Sequence, residues 1–335
     1  MMKTQMTLLI ITLSFLSALT LQAQEKKEWT SPEAAAKVVD FQFQGEYLGA
    51  VDDGSGVEVK VGLQLIALGG GTFRGVSFIG GLPGAGWSRG HESNTYEVTI
   101  NDQKQLSFKL DDGNATAVLK AGTLTVTVNG ETFIEMKKVA RKSATLGKAA
   151  PANAIVLFDG TEKAAKENFK RGTIVMEKLL KHDVETIETF GDHKLHLEFR
   201  LPFMPYARGQ GRGNSGMYVQ GRYECQILDS FGLDGKNNEC GGIYKIAEPI
   251  VNMCLPPLVW QTYDVDFTAA RYDAAGKKIK NARVTIHHNG VKIHDDLELP
   301  GGTPGKHPEG PGPDILYLQG HGNPVVFRNI WAVKK

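Results

Sequence analysis

From Val57 to Leu65 the chain places an apolar residue at every second position: Val57, Val59, Val61, Leu63 and Leu65, separated by Glu58, Lys60, Gly62 and Gln64. A period of two puts all five on one face of an extended strand, whereas a helix would scatter them around its surface. The pattern returns at His193–Leu201, where Leu195, Leu197, Phe199 and Leu201 alternate with Lys194, His196, Glu198 and Arg200. A chain patterned this way must either stack sheet faces against each other or close a sheet on itself.

The first half continues in this manner. Strands are expected at Thr72–Ile79, Thr95–Ile100, Gln105–Leu110, Ala115–Lys120 and Leu124–Val128, and Asn129-Gly130 is a hairpin signal leading to Phe133–Met136. Ser31-Pro32-Glu33 before three alanines reads as a short helix, with Ser as N-cap and Pro at the first position. Such regular short strands imply a compact antiparallel sandwich or barrel, and 39 glycines in 335 residues fit its many turns. Lys137 to Ala152 is basic, Ala-rich and weakly periodic, and reads as a linker. The expected organisation is a small mainly-β domain over 24–140, a linker over 141–153 and a second domain over 154–335.

That second domain opens at Ile155–Gly160, with a short helix within Thr161–Phe169. Further strands are expected at Ser215–Gln220, Arg222–Leu228, Val259–Thr268, Ala282–His288, Val291–Leu297, Ile315–Gln319 and Val325–Val333, with a hairpin turn at Asn289-Gly290. About ten strands with almost no helix imply an all-β jelly-roll sandwich. Gly301–Pro313 holds four prolines and five glycines, so it is expected as a surface loop long enough to wall a pocket.

Lys+Arg is 38 and Asp+Glu is 37, which excludes the broad basic footprint of a nucleic-acid binder. Met1–Ala23 reads as a signal peptide, with Lys3 before an apolar run and Leu21-Gln22-Ala23 at the expected cleavage site, so a periplasmic or secreted protein without a membrane span is expected. Export places Cys225, Cys240 and Cys254 in an oxidising compartment. Cys240 and Cys254 flank a loop-rich segment and are the candidate disulfide, leaving Cys225 reduced and buried within a strand. No Cys-x-x-Cys or His spacing completes a zinc site, and no dinucleotide or P-loop fingerprint occurs. No cofactor is expected. Calcium is a minor alternative on the oxygen-rich Asp229, Asp234, Asn237, Asn238 and Glu239, although their spacing matches no EF-hand loop.

The richest segment is NSGMYVQGRYECQILDSFG over 214–232. Two strands join through Gln220-Gly221, and on the second Arg222, Glu224 and Gln226 alternate with Tyr223, Cys225 and Ile227. One row meets the core and the polar row meets water or ligand. Asp229 follows, and joins Glu224 only if the strand ends or bulges there. In the segment from Tyr317 to Ile330, His321 lies between two glycines in a turn, which leaves its ring uncrowded for proton transfer, and Arg328 presents a guanidinium fork. Trp260 and Tyr244 are candidates to stack on a sugar ring, with Lys245 beside the latter.

At these residues the second half resembles a known family. NSGMYVQGRYECQILDSFG, GGIYKIAEP, PPLVWQTYDVDF, HHNGVKIH and LYLQGHGNPVVFRNIWA are similar to the 3-keto-disaccharide hydrolase domain family, with motifs in order over roughly Ala154–Lys335. The resemblance implies a concanavalin-like, laminarinase-like jelly roll in an exported protein that cleaves glycosides whose sugar C3 is already a ketone. It implies a cleft lined by Glu224, Gln226, Asp229, His321 and Arg328. Laminarinase-type glycosidases carry Glu-x-Asp-x-x-Glu on a comparable strand; here the run is Glu224-Cys225-Gln226-Ile227-Leu228-Asp229. An amide in the centre and a shortened last acid argue against the usual pair of carboxyls about 5 Å apart. The departure suits keto-sugar chemistry, in which the ketone acidifies C2–H and places the C1 aglycone β to the carbanion. Elimination then needs a base, an enolate stabiliser and an acid for the leaving oxygen. The candidate catalytic residues are Glu224, Asp229 and His321. The candidate substrate-binding residues are Gln226, Arg328, Tyr244, Lys245 and Trp260. The competing expectation is a non-catalytic, lectin-like carbohydrate binder.

Overall fold

The computed structural model describes residues 28–110 and 113–335; the leader expected at Met1–Ala23 lies outside them. The first unit is a closed barrel of eight strands: Gly45–Asp52, Glu58–Gly69, Thr72–Ile79, Ser93–Ile100, Leu106–Leu110, Gly113–Lys120, Thr123–Val128 and Glu131–Val139. Each pairs antiparallel with the next, and the last returns to the first. Of the two architectures that the strand pattern allowed, the chain adopts the barrel. Closure leaves no free sheet edge. Helix Pro32–Ala35, capped by the Ser31 hydroxyl accepting from Ala34 N at 3.2 Å, and helix Val39–Phe43 cover one end. Asp40 and Gln44 fix that cover by accepting from the amides of Gly71 and Ala67.

The second unit is a sandwich of two antiparallel sheets. In one, the order is Ile174–Val175, Leu179–Lys181, Val326–Lys334, His193–Arg200, Trp260–Thr268, Ala282–His288 and Val291–Leu299, with Ile155–Phe158 also pairing to Val326–Lys334. The other runs Phe169–Lys170, Val184–Phe190, Asp314–Leu318, Ser215–Val219 and Tyr223–Ile227. Leu195, Leu197 and Phe199 from the first meet Met217, Cys225 and Ile227 from the second in one core. The alternation therefore sends His196 and Glu198 outward on one side of the sandwich and Glu224 and Gln226 outward on the other. The hairpin dipeptides Asn129-Gly130, Gln220-Gly221 and Asn289-Gly290 all have both residues at positive φ, as a type I′ turn requires.

Residues 141–153, expected as a linker, run between the barrel and the second unit and are packed against the latter. Thr145 donates to Asp264, Lys148 pairs with Asp264 at 2.8 Å, and Gly147 N donates to Glu198 at 2.6 Å, so the first half of this segment is laid along the outer face of the larger sheet. Cys240 and Cys254 are free rather than bridged, and Cys225 is free as well; all three are buried. The Cys240 thiol meets the Tyr263 hydroxyl at 3.3 Å, and the Cys254 thiol meets the Leu228 carbonyl at 3.5 Å. The oxygen-rich run does not gather round a point. Asp229 pairs with Arg212, Glu239 accepts from the amides of Gly235 and Lys236, and no group of three His, Cys, Asp or Glu side chains converges among the described residues. No helix among the described residues is long and apolar enough to cross a membrane.

Candidate active site

Register across the Gln220-Gly221 hairpin sets the site. Strands Ser215–Val219 and Tyr223–Ile227 pair Gly216 with Gln226 and Tyr218 with Glu224. Because both strands alternate, Gly216, Tyr218, Glu224 and Gln226 share the outer face of the smaller sheet. Asp314–Leu318 pairs on the far side of Ser215–Val219 and brings up Tyr317 and, just beyond it, Gln319. Gly216 is a steric necessity here: a Cβ at that position would lie 2.5 Å from Glu224 Oε1 and 3.2 Å from Gln319 Oε1.

Loops bury this face. The Gly- and Pro-rich loop crosses it, with the Thr303 hydroxyl accepting from Glu224 N at 2.9 Å and Gly305 packed on the Tyr218 ring. The segment after Cys240 covers the free edge of Tyr223–Ile227. Gln226 N donates to Gly242 O, Gly241 N to Gln226 O, and Tyr244 N to Glu224 O. Tyr244 is thereby half-buried beside Glu224, and Lys245, at φ 61°, holds its ammonium 5.5 Å from the Tyr244 ring centre.

Glu224 is only 3% exposed. Burial pushes its carboxyl from 4.5 up to about 7, against the opposing hydrogen bond from Tyr218. Burial and the Glu224 charge together push the Tyr218 hydroxyl up, so it stays a neutral donor. Gln319 Nε2 donates to that hydroxyl at 3.2 Å. Gln226 Oε1 accepts from Ile227 N at 3.0 Å, and its amide reaches Gln210, which also accepts from Asn214 Nδ2. The face thus presents one carboxyl that titrates near neutrality among amide and phenol donors.

The remaining sequence candidates are placed differently. Asp229 does not stand open beside Glu224. The strand ends at Ile227, and Asp229 Oδ2 accepts from Arg212 Nε at 2.6 Å, both side chains being buried. His321 lies exposed on the loop two residues after Gln319. Arg328 and Trp260 are on the opposite side of the sandwich. Arg328 Nε donates to Glu198 at 2.7 Å, and its guanidinium stacks 3.9 Å from the Trp260 ring centre. A bulge between His196 and Glu198 in the pairing with Val326–Lys334 shifts the register, but Phe327 stays in the core and Arg328 points away from it. The expectation that these two residues share the cleft with Glu224 is therefore wrong. Their site is a structural ion network: burial would raise Glu198, but His196, Asn329, Arg328 and the Gly147 amide hold it at about 2.

Sequence reasoning did not single out Tyr218, Gln319, Arg212 or His182. The hairpin register would have found Tyr218, since it directly faces Glu224. His182 is harder to see: its Nδ1 is buried without a partner and lies 2.9 Å from where a Cβ on Gly320 would be, and burial lowers its pKa.

Residues 153–333 match the family model of the 3-keto-alpha-glucoside-1,2-lyase-like domain. Among solved structures, the chain is similar to a candidate glycosyl hydrolase from Parabacteroides distasonis ATCC 8503. The two are 30% identical, the match covers 56% of this chain and 85% of that one, and the TM-score is 0.50. A second candidate glycosyl hydrolase from the same organism is 19% identical, over 54% of this chain and 99% of that one, with a TM-score of 0.37. Among curated proteins none matches.

Proposed function

Because the chain belongs to the 3-keto-alpha-glucoside-1,2-lyase-like domain family through residues 153–333, a glycosyl-hydrolase-type, carbohydrate-active group, we propose that it cleaves 3-keto-glycosides by elimination across C1–C2 followed by hydration. One observation carries this reading: a single buried carboxyl, Glu224, is poised near pH 7, while the neighbouring positions hold amides and Asp229 is committed to Arg212. That arrangement suits one proton transferred back and forth better than a nucleophile-and-acid pair.

In the proposed sequence ionised Glu224 takes the C2 proton. The C2–H electrons form the C2–C3 enolate, with its charge on O3. The enolate then expels the aglycone from C1, leaving a C1=C2 double bond conjugated to the ketone. The proton now on Glu224 goes to the departing oxygen. Water adds its oxygen to C1 and returns a proton to C2, completing net hydrolysis. The Tyr218 hydroxyl, the Gln319 amide and the Lys245 ammonium supply donors for O3 and the ring hydroxyls, and Tyr244 offers a stacking face. Arg212 and Asp229 act as positioning residues, and His321 stands at the rim as a candidate for the leaving oxygen. Placement in the periplasm or outside the cell belongs to this proposal and rests on the leader-like Met1–Ala23.

The test is incubation with p-nitrophenyl 3-keto-glucoside and its unoxidised parent in deuterated water. The expected result is aglycone release from the keto-sugar alone, with deuterium at C2 of the product, and loss of both in Glu224→Gln. Tight binding of the parent glycan without release from either compound would favour the lectin-like reading.

A further inference from the structure

The barrel contains a site of its own, independent of the glycoside chemistry. Eight strands close a lumen just wide enough either to be filled by side chains or to hold one small molecule. This lumen is filled at only one end. Leu65, Val98, Leu106, Leu124 and Met136 are buried towards the end covered by the two helices. Towards the Asp52–Glu58 end, the inward residues Val61, Leu63, Tyr96 and Phe108 stay partly exposed.

The gap is a cavity of about 200 Å³ with an almost wholly apolar wall. Small residues create it: Gly75, Ser77 and Ala117 line the wall where larger side chains would close it. Gly75 is the most telling. A Cβ there would meet Val98 at 3.5 Å, Leu63 at 3.6 Å and Tyr96 at 3.8 Å, which is ordinary contact at a φ that any residue accepts. Neither backbone strain nor crowding requires a glycine at this point, and its effect is to leave room.

Two features give the cavity a chemistry. Ser77 Oγ and Tyr96 OH form a partly buried hydrogen-bonded pair at 3.3 Å, with Asn94 also lining the wall, so one side of an apolar pocket carries a polar spot. At the rim, Phe133 sits where the pairing of Glu131–Val139 with Thr123–Val128 is bulged, and its ring is 59% exposed. Bulges at barrel rims re-aim side chains. Dry apolar cavities of about 150 Å³ take up a benzene ring, so this one accepts a single substituted ring. We propose that the barrel binds a small phenol-type molecule, its ring in the apolar lumen against Tyr96 and Phe108 and its hydroxyl joining the Ser77–Tyr96 pair.

Barrel residues alone line the pocket. The sandwich packs on the outside of the barrel wall: Val76 and Phe78, which alternate with the lumen residues Gly75 and Ser77, belong to its core, and Arg74 donates to Gly232 O. The strand Thr72–Ile79 therefore stands between the lumen and the sandwich.

The experiment is calorimetric titration of the full chain with p-cresol, alongside Gly75→Leu and, as a second filling variant, Ser77→Leu. The expected result is saturable one-to-one binding by the unaltered chain, weakened about tenfold or more in each folded variant, with glycoside cleavage retained because the added side chains point into a lumen lined by barrel residues alone. Absence of saturable binding up to the solubility limit of p-cresol overturns the proposal. So does undiminished binding in a folded variant. Because the readout is p-cresol binding rather than cleavage, failure here leaves the glycoside reading untouched, and failure of that reading leaves this one untouched.

Discussion

Replacing Glu224 by Gln should do two opposite things: abolish most of the activity and stabilise the fold at alkaline pH. The second effect follows from the raised carboxyl. Its pKa moves from 4.5 to about 7 on folding because the ionised form loses water. The folded state therefore holds this proton more tightly than the unfolded chain does, and the ionised carboxyl is a burden on the native state. That burden is absent below the unfolded pKa, grows as pH rises, and is complete above the folded pKa. A shift of this size corresponds to about 3 kcal/mol, of which roughly 2–3 kcal/mol develops between pH 5 and 8.5. Gln fills the same volume, still accepts from Tyr218 and never ionises. The assay is scanning calorimetry of both proteins at the two pH values, following the transition assigned to the sandwich. For a unit of this size, Tm of the variant should gain on the unaltered chain by about 4–12 °C more at pH 8.5 than at pH 5. An equal difference between the two proteins at both pH values would show that Glu224 ionises freely in the fold. The argument for its poised carboxyl would then collapse, whatever the activity did.

Loss of the proton-transfer group in Glu224→Gln should reduce keto-glycoside cleavage by about 10²–10⁴-fold, measured as aglycone release. In the unaltered chain, if Glu224 is the C2 base, kcat/KM should rise with pH and level off above about 7, the folded pKa of that carboxyl; a rate that falls through pH 7 instead would assign Glu224 the acid role. Gly216→Ala places a Cβ 2.5 Å from Glu224 Oε1, and the displaced carboxyl should lower turnover by about 10²-fold in steady-state kinetics. Asp229→Ala leaves Arg212 buried without its carboxylate and should cost about 3–5 kcal/mol in urea unfolding, partly recovered in the double variant with Arg212→Met. Arg328→Ala and Trp260→Ala lie across the sandwich from Glu224, so kcat/KM should stay unchanged; a drop of about tenfold or more would return them to the cleft.

Alternation and turn chemistry are local properties, so they were legible in the sequence. Period two at Val57–Leu65 and His193–Leu201, the Asn-Gly and Gln-Gly dipeptides, and the Ser31-Pro32 helix start each correspond to the element observed. The strands Gly45–Asp52 and Val184–Phe190 were missed. The first carries two glycines within it, and the second alternates threonines and glutamates with few apolar residues, so neither shows a clean apolar face. They are strands because their neighbours supply hydrogen-bond ladders on both sides.

The same division runs through the site. Alternation alone put Glu224 and Gln226 on one row, and that is a property of a single strand. Which row of another strand shares their side of the sandwich is settled only when two sheets pack. Arg328 looked equivalent to Glu224 in the sequence, yet it belongs to the sheet whose outer face lies opposite. His288 stands at the end of a hairpin strand, just before Asn289-Gly290, yet it is fully buried and bonded to Gln261. The three cysteines looked like a disulfide plus one, but they sit as free thiols around Tyr263 and Leu228. Sequence therefore determined the strands with a clean apolar face, their turns and the family of the second half. Only the tertiary structure decided which polar rows meet, which carboxyl is left to titrate near neutrality, and that the barrel lumen stays open. Burial, pairing and cavity volume depend on contacts between residues far apart in the chain, and no local pattern encodes them.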